Sequence, residues 1–191
     1  SVSFTLGSGM TLSWTSMTLA GRGSHTITTA GKVLTDTFLD APGGTYTQQD
    51  AISFGVGAWR VRYGTWVSNN YSIAVTNIRW ADTSATRAVI LGTSVVTSAS
   101  NATPLAATTA GLTLSAASST IVLSDTSAAT KTVQGGGCVF GRLLIQGGQT
   151  QHPAALCTEG PDLAHQAVGA TAFIKVADQH HYRPAWCVDQ V

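Results

Sequence analysis

Apolar and hydroxyl-bearing residues alternate one by one along most of this chain, and this pattern constrains the fold more than any other feature. Clear examples are Val2–Leu6, Thr11–Thr15, His25–Thr28 and Lys32–Phe38. Successive side chains of a β-strand point to opposite faces of the sheet, so period-two alternation is typical of half-buried strands. The hydroxyl residues are numerous, 28 Thr and 18 Ser among 191 residues. The chain is therefore predicted to be all-β.

Glycine, proline and asparagine interrupt the alternating runs at strand-length intervals, at Gly7–Gly9, Gly21–Gly23, Ala41–Gly44 and Ser68–Asn70. No helix-length crossover, which adjacent parallel strands would require, separates the runs. No internal repeat of fixed period stands out, which argues against a propeller or a solenoid. The pattern predicts an antiparallel β-sandwich or jelly roll with at least eight strands.

The middle of the chain continues the strand pattern but differs in composition. Residues 98–130 are rich in Ala, Ser and Thr and contain no aromatic residue, which is also the composition of a flexible linker. The apolar clusters at Leu112–Leu114 and Thr120–Leu123 favour strands with small outward side chains, here called thin strands, over a linker. Other strands are predicted at Ala51–Gly57, Trp59–Val67, Tyr71–Trp80, Ala88–Thr97 and Ala170–Val176.

One short helix is predicted near residues 161–168. Pro161 suits the first helical position, Asp162 follows in the first turn, and Gly169 suits the position just after the end. The whole chain, residues 1–191, is interpreted as a single β-sandwich domain. Gly135–Gly137 forms a possible hinge that would subdivide it.

The charge content excludes several classes of protein. Charged residues make up 10% of the chain and the net charge is +1, which fits neither a basic nucleic-acid binder nor a charged helical bundle. No apolar run reaches the roughly 18 residues of a membrane span, and the first four residues, Ser1–Phe4, do not resemble a signal peptide. A surface so poor in charge is expected to be buried against copies of the chain or a larger shell. The predicted partners therefore exclude nucleic acid and membrane.

For each candidate catalytic motif in the sequence, a structural role explains the residues better than catalysis does. The carboxylate pairs closest in sequence, Asp36 with Asp40 and Glu159 with Asp162, lie beside turn residues, where Asp normally caps the backbone. The serine hydrolase motif Gly-x-Ser-x-Gly is absent, and Cys138 after three glycines is a weak candidate nucleophile. The prediction is a protein without catalytic residues or cofactor.

The last 54 residues hold all three cysteines and four of the five histidines. Zinc sites usually contain a close pair such as Cys-x-x-Cys, whereas the closest spacing between a Cys and a His here leaves four residues between His152 and Cys157. We therefore predict that Cys138, Cys157 and Cys187 bind no zinc and that the protein holds no metal.

The predicted binding residues are arginines and aromatic residues. Alternation along Trp59–Trp66 puts Arg60, Arg62 and Trp66 on one face, and Arg79–Trp80 repeats the pairing on a later strand. Arg and Trp are enriched in interface hot spots, and aromatic rings stack on sugars. The alternative is that the two tryptophans belong to the core. With Tyr71 added, the candidate set is Arg60, Arg62, Trp66, Tyr71, Arg79 and Trp80.

The segment Asn101–Asp125, rich in Ala, Ser and Thr, resembles virion structural proteins in composition, namely decoration, fibre and capsid-projection domains of phages and other viruses. The resemblance is compositional and covers mainly residues 1–135. It implies an all-β, non-enzymatic protein located in the virion. Its implied partners are copies of itself in a homo-oligomer, other virion proteins, and a host glycan or receptor. The alternative from another class is a secreted carbohydrate-binding module or lectin that uses Trp66, Trp80 and Tyr71 as stacking platforms.

Overall fold

The computed structural model describes residues 2–127, 131–146, 153–154 and 172–174. Within them the chain winds into a parallel β-solenoid of about six turns. Each full turn visits three sides in the same order, which we name the ledge side, the hydroxyl side and the small-residue side. Side-chain hydrogen bonds between successive turns join residues 20 to 26 apart.

The ledge and hydroxyl sides form one bent 11-stranded sheet, because two long strands contribute to both of them. These shared strands are β4 (Asp36–Gln48) and β6 (Ala58–Val67). The other strands of the ledge side are β2 (Ser16–Leu19), β8 (Asn77–Trp80), β11 (Leu105–Ala107), β14 (Lys131–Gln134) and β17 (Ala172–Ile174). The other strands of the hydroxyl side are β1 (Val2–Thr5), β3 (Gly23–Thr28), β9 (Arg87–Ile90) and β12 (Leu112–Ser115).

The small-residue side is a separate six-stranded sheet. Its strands are β5 (Ile52–Ser53), β7 (Ile73–Val75), β10 (Val95–Ser98), β13 (Thr120–Leu123), β15 (Arg142–Ile145) and β16 (Pro153–Ala154). Pairing is parallel along all three sides except at the C-terminal end. There β16 pairs antiparallel with β15, and β17 pairs antiparallel with β14.

The prediction of an antiparallel sandwich or jelly roll is wrong, although the chain is all-β in the described residues. Period-two alternation marks strands but carries no information about their direction. A parallel partner does not need a helical crossover here, because the other two sides of the same turn bring the chain back to the starting side. The sequence shows no repeat of fixed period because the turns differ in length, as Trp59 pairs with Ile78 whereas Leu105 pairs with Val133.

Several local predictions hold. The thin strands expected around Leu112–Leu114 and Thr120–Leu123 are β12 and β13. The single runs expected at Tyr71–Trp80 and Ala88–Thr97 are each divided by a corner of the solenoid. The predicted helix near 161–168 lies outside the described residues. Parallel pairing continues across Gly135–Gly137, because Thr109 N donates to Gly136 O and β15 pairs with β13.

The core fills the inside of the solenoid with side chains stacked in register from turn to turn. Ile52, Ile73, Val96 and Ile121 form one such stack behind the small-residue side. An aromatic cluster occupies the centre, where Trp59 lies 5.0 Å from Trp80, 5.4 Å from Trp66 and 6.0 Å from Phe54, measured between ring centroids. The two tryptophan–tryptophan contacts are edge-on and the Phe54 contact is stacked, and such ring pairs add to the stabilisation that comes from burying the rings.

Candidate binding surface

The three predicted arginines lie on the outer surface of the ledge side, with carboxylates between them. Arg60 stands between Phe38 and Arg79 on neighbouring strands. The guanidinium carbons of Arg60 and Arg62 lie 5.1 and 5.7 Å from the centroid of the Phe38 ring, within the range of cation–π attraction. We call this surface the charged ledge, defined by Asp36, Phe38, Asp40, Arg60, Arg62, Arg79 and Asp82.

Most charges of the ledge are already neutralised by neighbours. Arg60 contacts Asp82 at 3.1 Å and Asp36 at 3.4 Å. Arg62 contacts Asp40 at 3.2 Å. These side chains are a quarter to two fifths exposed, so each pair contributes little to stability. Three arginines balance three aspartates, and the ledge as a whole presents a neutral network rather than a basic patch.

Trp66 and Trp80 are not part of this surface, since both are 0% exposed. The prediction that Trp66 shares an outward face with Arg60 and Arg62 is corrected by the backbone at Gly64. That residue has a φ of +83°, and the register of β4 against β6 shifts across the same corner. The alternation restarts after the corner, so Trp59 and Trp66 both point inward although an odd number of positions separates them.

Tyr71 lies apart from the arginines. It follows Asn69 and Asn70, whose φ angles of +52° and +65° turn the chain from the hydroxyl side to the small-residue side. Tyr71 is 39% exposed. The six predicted residues therefore divide into three ledge arginines, two core tryptophans and one isolated tyrosine.

A groove at the corner between the charged ledge and the hydroxyl side was not anticipated from the sequence. It has a volume of about 430 Å³. We call it the corner groove, defined by its lining residues Pro42, Gly43, Gly44, Thr45, Tyr63, Gly64, Thr65, Ala85, Thr86, Arg87, Ala88 and Thr113. The only sequence signal for it was the run of glycines at Gly43 and Gly44, which looked like a simple turn.

Glycine keeps the corner groove open. A Cβ atom on Gly64 would collide with the carbonyl oxygen of Ala41 and lie 2.7 Å from that of Gly44. The positive φ angles of Gly43 and Gly64 are also ones that residues with a side chain rarely adopt. The close approach of these two backbone segments leaves a shallow depression between neighbouring turns.

Arg87 fixes one wall of the corner groove. It is only 1% exposed, and its guanidinium donates to the carbonyl oxygens of Ala85 and Ala110 at 2.9 Å and to that of Trp80. Burial lowers the pKa of this guanidinium, partly offset by nearby groups that include Asp82. Arg87 thus links the loop after β8 to the loop before β12. Its role in the groove is structural, because its guanidinium is engaged by backbone carbonyls.

The described part of the chain contains no group of three or more His, Cys, Asp or Glu residues placed to hold a metal ion. Cys138 is half-buried, and desolvation raises the pKa of its thiol. Cys157, Cys187 and the four C-terminal histidines lie outside the described residues, so the prediction of no zinc stays a prediction. Within the same described ranges, no helix is long and apolar enough to cross a membrane.

No protein-family model, no curated protein and no solved structure matches this chain.

Proposed function

We propose that this chain is a non-enzymatic structural and attachment protein, a rigid rod that assembles with copies of itself, like the projecting proteins of virions that its composition resembles. The proposal includes no cofactor, no nucleic acid and no membrane partner. The observation that carries it is the segregation of charge among the three sides of the solenoid.

Two sides are uncharged over most of their described length. The outward residues of the hydroxyl side are Ser, Thr, Ala, Val and Ile from β1 to β12, for example Thr26, Thr47, Val67 and Ile90 in one file. On the small-residue side the outward file runs Ser53, Ala74 and Thr97. Free surfaces usually carry interspersed charges, so uncharged flat sides favour burial in an assembly.

The small-residue side is the better candidate for contact between copies. Ala74 is exposed and Val95 is 42% exposed, so apolar surface faces outward there. Small side chains let two flat sheets approach closely, and few charged groups have to be desolvated when they do. The charged ledge, with its solvated ion pairs, suits the outside of such an assembly.

The alternative, a secreted carbohydrate-binding module that stacks sugars on Trp66, Trp80 and Tyr71, is less well supported. Two of those three rings are in the core and cannot reach a ligand without unfolding.

The mass of the particle at low micromolar concentration tests the assembly. We expect sedimentation analysis to give a multiple of the 19.7 kDa chain mass. Ala74→Lys places a charge in the proposed contact and should shift the particle to monomer. Thr18→Lys, at an exposed position on the ledge side, is the matched control and should leave it assembled. A monomeric wild type would contradict the proposal and favour the lectin alternative.

A further inference from the structure

We propose that the corner groove binds a neutral glycan chain that lies along the solenoid axis. This inference rests on the proposed attachment function and names its ligand. Binding of a neutral glycan requires hydroxyl donors and acceptors in a row, an aromatic ring beside them and no free charge in the groove. Each of these features is present in the described residues.

The row of hydroxyls is set by strand register. Thr45 pairs with Thr65, Thr65 with Ala88, and Ala88 with Thr113. These four positions therefore lie in one file across successive turns, about 4.8 Å apart, and span about 14 Å along the axis. A strand spacing of this size is close to the length of one sugar unit, so successive sugars of a chain would meet equivalent positions.

The file offers both kinds of contact that a sugar makes. Threonine supplies a hydroxyl that can donate and accept, and its methyl group packs against C–H bonds. Thr86 adds a further hydroxyl from the loop before β9. Ala88 leaves a gap in the file where a bulkier substituent of the sugar can fit.

Tyr63 supplies the aromatic surface. It is half-buried and lines the groove on the side nearest the charged ledge, directly paired with Asp40 in the neighbouring strand. A phenol ring combines an apolar body, on which sugar C–H faces stack, with a hydroxyl that hydrogen-bonds.

The electrostatics of the groove favour a neutral ligand over an anionic one. Arg87 is the one ionisable lining residue besides Tyr63, and it is buried and already donates to backbone carbonyls. The nearest ledge arginine, Arg62, is paired with Asp40. An acidic polysaccharide would therefore find no available cation in the groove.

A second depression in the described residues fits such a ligand less well. It measures about 240 Å³ and lies on the small-residue side, lined by Ala51, Ile52, Ser53, Ile73 and Ala74 among others. No aromatic residue lines it, and Lys32 at its rim adds a positive charge. The corner groove, at about 430 Å³, falls in the size range of small-molecule sites.

Affinity electrophoresis tests the proposal with defined probes. The native protein is run through gels containing neutral polysaccharides of glucose, mannose, galactose or N-acetylglucosamine, and through one containing heparin. We expect at least one neutral polymer to retard the protein while heparin does not. Tyr63→Ala should weaken that binding by about tenfold or more, and Thr65→Val, which keeps the side-chain shape, should weaken it several-fold. Tyr71→Ala is the matched control and should bind as the wild type does.

Three results would overturn the inference: no retardation by any neutral polymer, retardation by heparin alone, or unchanged binding by folded Tyr63→Ala and Thr65→Val variants. The particle mass, measured on the same samples, separates this test from that of the assembly. A wild-type protein that is assembled but binds no neutral polymer refutes the glycan groove alone. A monomer that still binds neutral glycan refutes the assembly alone.

Discussion

Serine and threonine side chains hold the corners of this solenoid together. Ser94 Oγ donates to Ser68 Oγ at 2.7 Å, and Ser68 Oγ donates to the Leu91 carbonyl at 2.8 Å. At another corner the Asp50 carboxylate accepts hydrogen bonds from the amides of Thr29 and Ala30. Corner carbonyls and amides cannot all join the strand ladders, so short polar side chains satisfy them instead. At the residue scale, such corner contacts account for part of the high content of hydroxyl residues.

Trp66 is the residue whose substitution best separates a core role from a surface role. We expect Trp66→Ala to lower the free energy of unfolding by about 3–5 kcal/mol, because it leaves a cavity beside Trp59 and Phe54. Urea unfolding measures the change. Tyr71→Ala, at an exposed ring, should change stability by no more than about 0.5 kcal/mol. A Trp66→Ala variant with unchanged stability but lost assembly would instead place this ring in an interface.

At the scale of the element, β6 shows how one glycine redirects a strand. Its first half belongs to the ledge side and its second half to the hydroxyl side. Gly64 lies between the halves, with a φ of +83°, and resets which side chains point inward. The corner groove and the burial of Trp66 both depend on this bend of the backbone at Gly64.

We therefore expect Gly64→Ala to destabilise the protein by about 1–3 kcal/mol, because alanine must adopt an unfavourable φ and its Cβ meets the Ala41 carbonyl. Thermal and urea unfolding both report the change. Gly9→Ala is a suitable control, since a Cβ there meets nothing within 4 Å. Equal stability of the two variants would mean that the corner at Gly64 tolerates a side chain, contrary to this geometry.

At the scale of the whole molecule, each turn contacts only the turns next to it. Stability of such a fold is approximately a sum of turn and neighbour contributions, so interior turns are expected to be the most protected. Protection is therefore expected to rise from the ends of the solenoid to its interior. The aromatic cluster strengthens this gradient of protection, because Trp59, Trp66 and Trp80 all lie in the interior strands β6 and β8.

Amide hydrogen exchange measures the gradient directly. We expect amides of β6 to exchange more slowly than those of β1 and β2, which lie at one end of the described stack. Both sets of amides are measured in one sample, so each serves as the reference for the other. Uniform protection from β1 to β6 would contradict turn-by-turn stability and indicate a single cooperative unit.

The candidate site could be predicted only in part. Arg60, Arg62 and Arg79 were expected at the surface and are there, because polar residues in an alternating strand point outward. Trp66 was misassigned because alternation was extended through Gly64. The corner groove was missed because Thr45, Thr65 and Thr113 are far apart in sequence and become neighbours only through register.

By itself the sequence determined that the chain forms strands, where many of them lie and which residues line much of the core. These are local properties, since period-two alternation and turn residues act within a few positions. Only the tertiary structure decided the direction of the strands, their partners and the shape of the surface. A strand with one apolar face can pair parallel or antiparallel, and the choice depends on where the corners return the chain one turn later. That return brings together residues 20 or more positions apart, which no local pattern records.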